Sequence, residues 1–71
     1  MKITGDSIYG NIGYVIRFAG SRYLLRDYSW EKRQYLLDNL DTRYKVWIDD
    51  YILIGCDIIG DKWEKMNYGK I

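Results

Sequence analysis

The clearest pattern in this sequence is an alternation of apolar and polar positions between residues 14 and 28. Residues 14–18 place Tyr, Ile and Phe at every second position, which is the period-two pattern of a β-strand. Residues 19–21 follow as a connection of hairpin length, with a glycine that can adopt positive φ. Residues 22–28 then alternate again. The pattern predicts an antiparallel hairpin.

Beyond residue 28 the apolar spacing changes and predicts a helix of about three turns. Asp27 or Ser29 can cap its N-terminus, and Glu31 lies in its first turn near the positive end of the helix dipole. We expect the helix to end within residues 39–42. Its apolar stripe consists of Trp30, Leu36, Leu37 and Leu40.

Two further strands are predicted after this helix. Residues 43–48 alternate, and Asp49-Asp50 is typical of a turn. Residues 51–59 are apolar on both faces, which predicts a central strand covered on both sides, with a bulge at Gly55. Residues 2–13 predict one or two short edge strands. For residues 61–71 the sequence leaves a strand, a helical turn and a tail open.

Together these segments predict one α+β domain over residues 1–71. It is a small antiparallel sheet of four to five strands with one α-helix packed on one face, in the order β-β-β-α-β-β. The alternative is a small SH3-like or OB-like barrel with an inserted helix. A chain of this length has a small core. The single cysteine, Cys56, excludes an intrachain disulfide, so we expect apolar packing or oligomerisation to supply the stability.

One helix of this length covers one face of such a sheet and leaves the second face without a cover. That face would be part of a barrel interior, or lie under a C-terminal segment carrying Trp63 and Met66, or bind a partner. Exposed patches of Trp, Tyr, Arg and apolar residues are typical of contact sites. The predicted partner-binding residues are Arg17, Arg22, Leu24, Arg26, Lys45, Trp47, Tyr51 and Leu53. Val15 is predicted to lie on the same face.

Composition favours binding over catalysis. The chain has eight Tyr and three Trp but no His, the commonest acid–base catalyst and metal ligand. Cys56 has no His to deprotonate it, and Asp49 and Asp50 are neighbours that point to opposite faces of a strand. The aspartates have no calcium-loop spacing, and the glycines at 10 and 13 lack the Lys-Ser/Thr of a phosphate loop. We predict no catalytic residue, metal or cofactor.

The predicted function is therefore a non-enzymatic protein-binding module. Its narrower form is a small phage or mobile-element inhibitor of a host or defence protein, since the composition, with no Pro and one Ala, reflects AT-rich codons. In this hypothesis the basic residues of the second face contact carboxylates, and the aspartates at 38, 41, 49 and 50 repel a wrong docking.

Two alternatives use the same face. A single-stranded nucleic-acid or RNA-binding β domain would stack bases on Trp47 and Tyr51 while cations follow the phosphates. The net charge of +1 and six aspartates between residues 38 and 61 weigh against this alternative. A homodimer would use the face symmetrically. The sequence has no signal peptide and no apolar run long enough to cross a bilayer, so we expect no membrane association and a cytoplasmic location.

Overall fold

The computed structural model describes residues 2–5 and 8–61 and has an open antiparallel sheet of five strands in the order β4-β3-β2-β1-β5. Two helical turns of four residues each accompany the sheet, α1 before β1 and α2 between β4 and β5. The elements are α1 (Ile8–Asn11), β1 (Tyr14–Phe18), β2 (Ser21–Ser29), β3 (Gln34–Asn39), β4 (Lys45–Asp49), α2 (Asp50–Leu53) and β5 (Ile58–Asp61).

The predicted hairpin is confirmed as β1 and β2. Phe18 lies opposite Ser21, so the connection is two residues, Ala19 and Gly20. Both have positive φ, 51° and 78°. Two positive φ values in succession are the geometry of a type I′ turn, whose twist matches that of the flanking strands. Residues 43–48 also form a strand as predicted, since most of them belong to β4.

The helix predicted after residue 28 is wrong. β2 continues to Ser29, residues 30–33 form a turn, and the leucines lie in β3. The Ser29 hydroxyl does accept a hydrogen bond from the Lys32 N–H, at 3.2 Å, as a helix cap would. Here it stabilises a hairpin loop, because Arg33 adopts φ of 54° and leaves the helical conformation.

β3 resembles a helix in sequence because both of its faces bury apolar atoms. Tyr35 and Leu37 lie in the core, while Leu36 is half-buried and Asp38 is buried on the opposite face. A strand that carries buried side chains on both faces loses the apolar–polar alternation that identifies it. The adjacent pair Leu36-Leu37 therefore fits helical spacing as well as it fits a strand.

The central strand predicted over residues 51–59 is also wrong. Residues 50–53 form α2, and Leu53 is fully buried in the core. Gly55, predicted as a bulge, has φ of 90° at the turn that follows α2. The chain then enters β5 at the edge of the sheet, beside β1. A short apolar run does not distinguish a buried strand from a buried helical turn.

In the described part of the N-terminal segment, Lys2 forms a bridge with Asp57 and residues 8–11 form α1, whereas one or two short edge strands were predicted over residues 2–13. Ile3 donates its N–H to the Cys56 carbonyl at 3.0 Å and accepts from the Gly55 N–H at 2.9 Å. These bonds hold the Ile3 side chain in the core. Asn11, the last residue of α1, donates a hydrogen bond from Nδ2 to the Tyr35 hydroxyl at 3.1 Å. This bond connects α1 to β3.

The core therefore lies on one face of the sheet, where α2 and the N-terminal segment contribute to it. Its buried residues are Ile3, Ile16, Leu25, Tyr35, Leu37 and Leu53. Within the described residues β4 and β5 lie at opposite edges and do not pair, so the sheet is open and the barrel alternative is not seen. The predicted cover by Trp63 and Met66, and the structure of residues 62–71, lie outside the described residues.

Candidate binding surface

The strand register places most of the predicted partner-binding residues on the sheet face opposite the core, which we call the outer face. Arg17 lies directly opposite Arg22 across β1 and β2. Leu24 lies opposite Asp38, which in turn lies opposite Lys45 on β4. The residues that share this face are Arg17, Arg22, Leu24, Lys45 and Trp47.

Arg26 reaches the outer face from an irregular position in β2. The pairing of β2 with β3 shifts register between Leu25 and Asp27, so Arg26 is the extra residue of a β-bulge. Its Nε donates to Oδ2 of Asp38 at 2.9 Å. The bulge thus directs a cation to the one fully buried carboxylate among the described residues.

Asp38 lies in the middle of the outer face and interacts with the basic residues around it. Its side chain is fully buried, and its second oxygen, Oδ1, makes no hydrogen bond with any described residue. Burial by itself would raise the pKa of Asp38. The hydrogen bond from Arg26 and the charges of Arg43 and Lys45 outweigh this effect and hold the pKa below its usual value. Asp38 therefore stays ionised and fixes the guanidinium of Arg26.

A second ion pair lies at the protein surface, beside Asp38 and Arg26. Arg22 donates from Nη2 to Oδ1 of Asp41 at 2.7 Å, with both side chains about half exposed. Asp38 and Asp41, predicted to repel a wrong docking, are thus bound to arginines of the outer face. Arg17 and Lys45 form no ion pair with any described acid.

Trp47 is the exposed aromatic residue of the outer face. Trp47 belongs to β4 and lies opposite Leu36 of β3, and 38% of the Trp47 surface is accessible. The Nζ of Lys32, from the turn between β2 and β3, lies 5.7 Å from the centre of its ring, within the range of a cation–π interaction. A rigid ring with a cation over it is therefore available to a partner.

Three predicted site residues do not belong to an accessible outer face. Leu24 is buried, with 8% of its surface exposed. Leu53 is fully buried in the core, because α2 directs it under the opposite face of the sheet. Tyr51 is 69% exposed but lies in α2, outside the sheet. The prediction placed Tyr51 and Leu53 on this face because it assumed a strand from residue 51.

Asp49 and Asp50, the neighbouring carboxylates considered above, both accept hydrogen bonds from other side chains. Asp49 accepts a hydrogen bond from Nε2 of Gln34 at 2.9 Å, and Asp50 accepts from the Tyr28 hydroxyl at 2.6 Å. Burial and the charge of Asp57 raise the pKa of the Cys56 thiol, which disfavours a thiolate. Among the described residues no three His, Cys, Asp or Glu side chains come together as metal ligands.

Sequence reasoning missed Asp38 and Arg43 as members of this site. The signal for Asp38 is an aspartate directly after two leucines, in Leu36-Leu37-Asp38, and the predicted helix left it outside its apolar stripe. Arg43 has φ of 68° and brings Nη2 to 4.0 Å from Oδ2 of Asp38. Its position depends on the connection between β3 and β4, whereas the prediction placed Arg43 at the start of the strand over residues 43–48.

Comparisons with protein-family models, curated proteins and solved structures find no match to this chain. Among the described residues, each helical turn is far shorter than a membrane-spanning helix.

Proposed function

We propose that this chain is a non-enzymatic protein-binding module that contacts an acidic protein surface through the outer face. The observation that carries this proposal is the cross-strand pair of Arg17 and Arg22 on the same face as exposed Trp47. Like charges directly opposite each other destabilise a sheet. A partner's carboxylate between them would offset this repulsion, because it would pair with Arg17, which forms no ion pair with a described acid, and share Arg22 with Asp41.

The contacts of the outer face give each residue a role. Trp47 is the anchor, since a partly exposed indole on a strand loses little entropy when it is covered. Arg22 and Arg26 are held by Asp41 and Asp38, so they present fixed donors. Arg17 and Lys45 steer an acidic partner during encounter. The narrower expectation, a phage or mobile-element inhibitor, rests on composition alone.

A pull-down from native cell extract with tagged protein, with and without nuclease, tests this proposal. We expect a protein band that survives nuclease and disappears with the Arg17→Gln/Arg22→Gln variant. Both arginines are exposed, so this variant should fold normally. Arg26 is left in place because its loss would leave buried Asp38 without its hydrogen-bonded cation.

Trp47→Ala should weaken binding to the captured protein by more than ~2 kcal/mol, as expected of a central hot spot. Trp30→Ala is the matched control, because Trp30 is also exposed but lies in the loop between β2 and β3. Binding by titration calorimetry and folding by circular dichroism are measured for both variants. Equal weakening by the two variants, or unfolding of Trp47→Ala, would remove Trp47 as the anchor.

The alternative function is binding of single-stranded nucleic acid, which the lysine over the Trp47 ring favours. It predicts that the pull-down recovers nucleic acid and that nuclease removes every co-purifying protein. Affinity would then fall steeply with salt, because phosphate contacts release counterions. The protein-binding proposal is favoured over this alternative because a phosphate backbone is followed by a strongly basic groove, whereas the net charge of this chain is only +1.

A further inference from the structure

Among the described strands, β4 lies at an open edge of the sheet. It pairs with β3 on one side, and no described strand pairs with its other side. Its side chains are accessible, with 43% of Val46 and 38% of Trp47 exposed. An edge strand of this kind is a template for pairing with another strand.

The register identifies the backbone groups that the open edge offers. Asn39 donates its N–H to the Tyr44 carbonyl at 2.8 Å, and Asp50 donates to the Arg33 carbonyl at 2.9 Å. Hydrogen-bonded and non-hydrogen-bonded pairs alternate along an antiparallel ladder. The residues at Tyr44 and Asp50 belong to hydrogen-bonded pairs, so every second residue between them does as well. Val46 and Ile48 therefore direct their backbone groups toward β3. By the same alternation, the N–H and C=O groups that face the open edge belong to Lys45, Trp47 and Asp49.

We propose that β4 pairs antiparallel with β4 of a second copy of this chain, around a two-fold axis at Trp47. In this register Trp47 lies opposite Trp47 of the second copy. Lys45 lies opposite Asp49 of the second copy, and the reverse pair forms on the other side of the axis. All three residues direct their backbone groups outward, so each pair exchanges hydrogen bonds.

Charge complementarity selects this partner and this register. Lys45 and Asp49 project from the same sheet face, so each would meet the opposite charge across the new strand pair, which is stabilising. A register shifted by two residues would place Lys45 opposite Trp47 and lose both ion pairs. Asp49 uses Oδ1 for Gln34, and its second oxygen can accept from the incoming lysine.

The same register improves packing on the core face. Val46 would lie opposite Ile48 of the second copy, which covers an apolar side chain that is exposed in the single chain. The two five-stranded sheets would become one continuous sheet with two outer faces side by side. This pairing requires no foreign partner, so it stands independently of the proposed function.

Sedimentation equilibrium with two charge variants tests the pairing. Asp49→Lys alone places Lys against Lys45, and Lys45→Glu alone places Glu against Asp49, so each variant repels its own copies. A mixture of the two variants is complementary at both positions. We expect a wild-type dimer, at least about tenfold weaker association of each variant alone, and recovery of the dimer in the equimolar mixture.

Two controls separate pairing from folding. Lys45 lies opposite Asp38 within its own sheet, so thermal unfolding is measured for Lys45→Glu before association is compared. Asp49→Pro, compared with Asp49→Ala, removes the outward N–H at a residue whose φ of −55° suits proline. We expect association to fall further with proline than with alanine. A wild-type monomer at millimolar concentration, or variants that dimerise as tightly as the wild type, would overturn the proposal.

Discussion

At the scale of single residues, the buried charge of Asp38 determines which cations lie on the outer face and how they are held. A carboxylate without solvent contact is costly unless cations and donors compensate it. Arg26 provides a hydrogen bond at 2.9 Å, while Arg43 and Lys45 provide charge. The strands β2, β3 and β4 are thereby joined by electrostatics on one face and by apolar packing on the other.

We expect the stability of the protein to fall in acid because of Asp38. Its pKa is lower in the folded chain than in the unfolded chain, where it is about 3.9. The ionised form therefore stabilises the fold above that value, and this contribution is lost as the pH falls through the lower, folded pKa. Urea unfolding at pH 6 and pH 3 measures the change in free energy of unfolding.

Asp38→Asn is the matched control for this prediction. It keeps the shape of the side chain and removes its titration, so the free energy of unfolding should depend less on pH below 4 than in the wild type. An unchanged acid dependence in this variant would assign the effect to other carboxylates. Asp57, whose pKa is also lowered, by its bond with Lys2, is the first of these.

At the scale of elements, α2 depends on tertiary contacts for its existence. A helix of four residues is not stable by itself. Asp50 anchors its start through two hydrogen bonds: its N–H donates to the Arg33 carbonyl, and its carboxylate accepts from the Tyr28 hydroxyl. The Tyr28 ring also packs edge-on against Tyr35, with ring centres 4.8 Å apart.

The bond with Asp50 raises the pKa of Tyr28 to about 12, mainly because the hydroxyl donates to a carboxylate. Since the folded pKa exceeds the ordinary value of 10, the stabilising contribution is complete below pH 10 and is lost as the pH rises toward 12. NMR titration of the tyrosine ring carbons measures this pKa. Asp50→Asn should lower it, and an unchanged value would contradict the assigned cause.

At the scale of the whole molecule, stability depends on a core that lies on one face of the sheet, between the sheet and the segments packed against it. A chain of 71 residues buries a modest fraction of its surface, so each core residue contributes a large part of the total. Leu53 is fully buried and joins α2 to the sheet. Its neighbour Tyr51 projects from the same turn into solvent.

Leu53→Ala should lower the free energy of unfolding by about 3 kcal/mol, since it removes buried methyl groups and leaves a cavity. Tyr51→Ala in the same turn should change it by less than about 0.5 kcal/mol. Chemical unfolding of both variants measures the difference. A small effect of Leu53→Ala would show that α2 is peripheral to the core.

The predictions that failed share a physical origin. The leucines of β3 and the apolar run at α2 were assigned to the wrong kind of element, although both were expected to be buried. Burial follows from the side chains themselves. The conformation that achieves it depends on neighbours, such as β2 and β4 on either side of β3.

The features that could be predicted from the amino-acid sequence alone are therefore local ones. Alternation and Ala19-Gly20 specify the β1–β2 hairpin, and alternation specifies β4, because strand period and turn geometry act between near neighbours. The folded structure was needed to show that Leu53 enters the core, that Asp38 is buried beside arginines and that β4 lies at an edge of the described sheet. Those facts depend on contacts between residues distant in sequence, which no local pattern encodes.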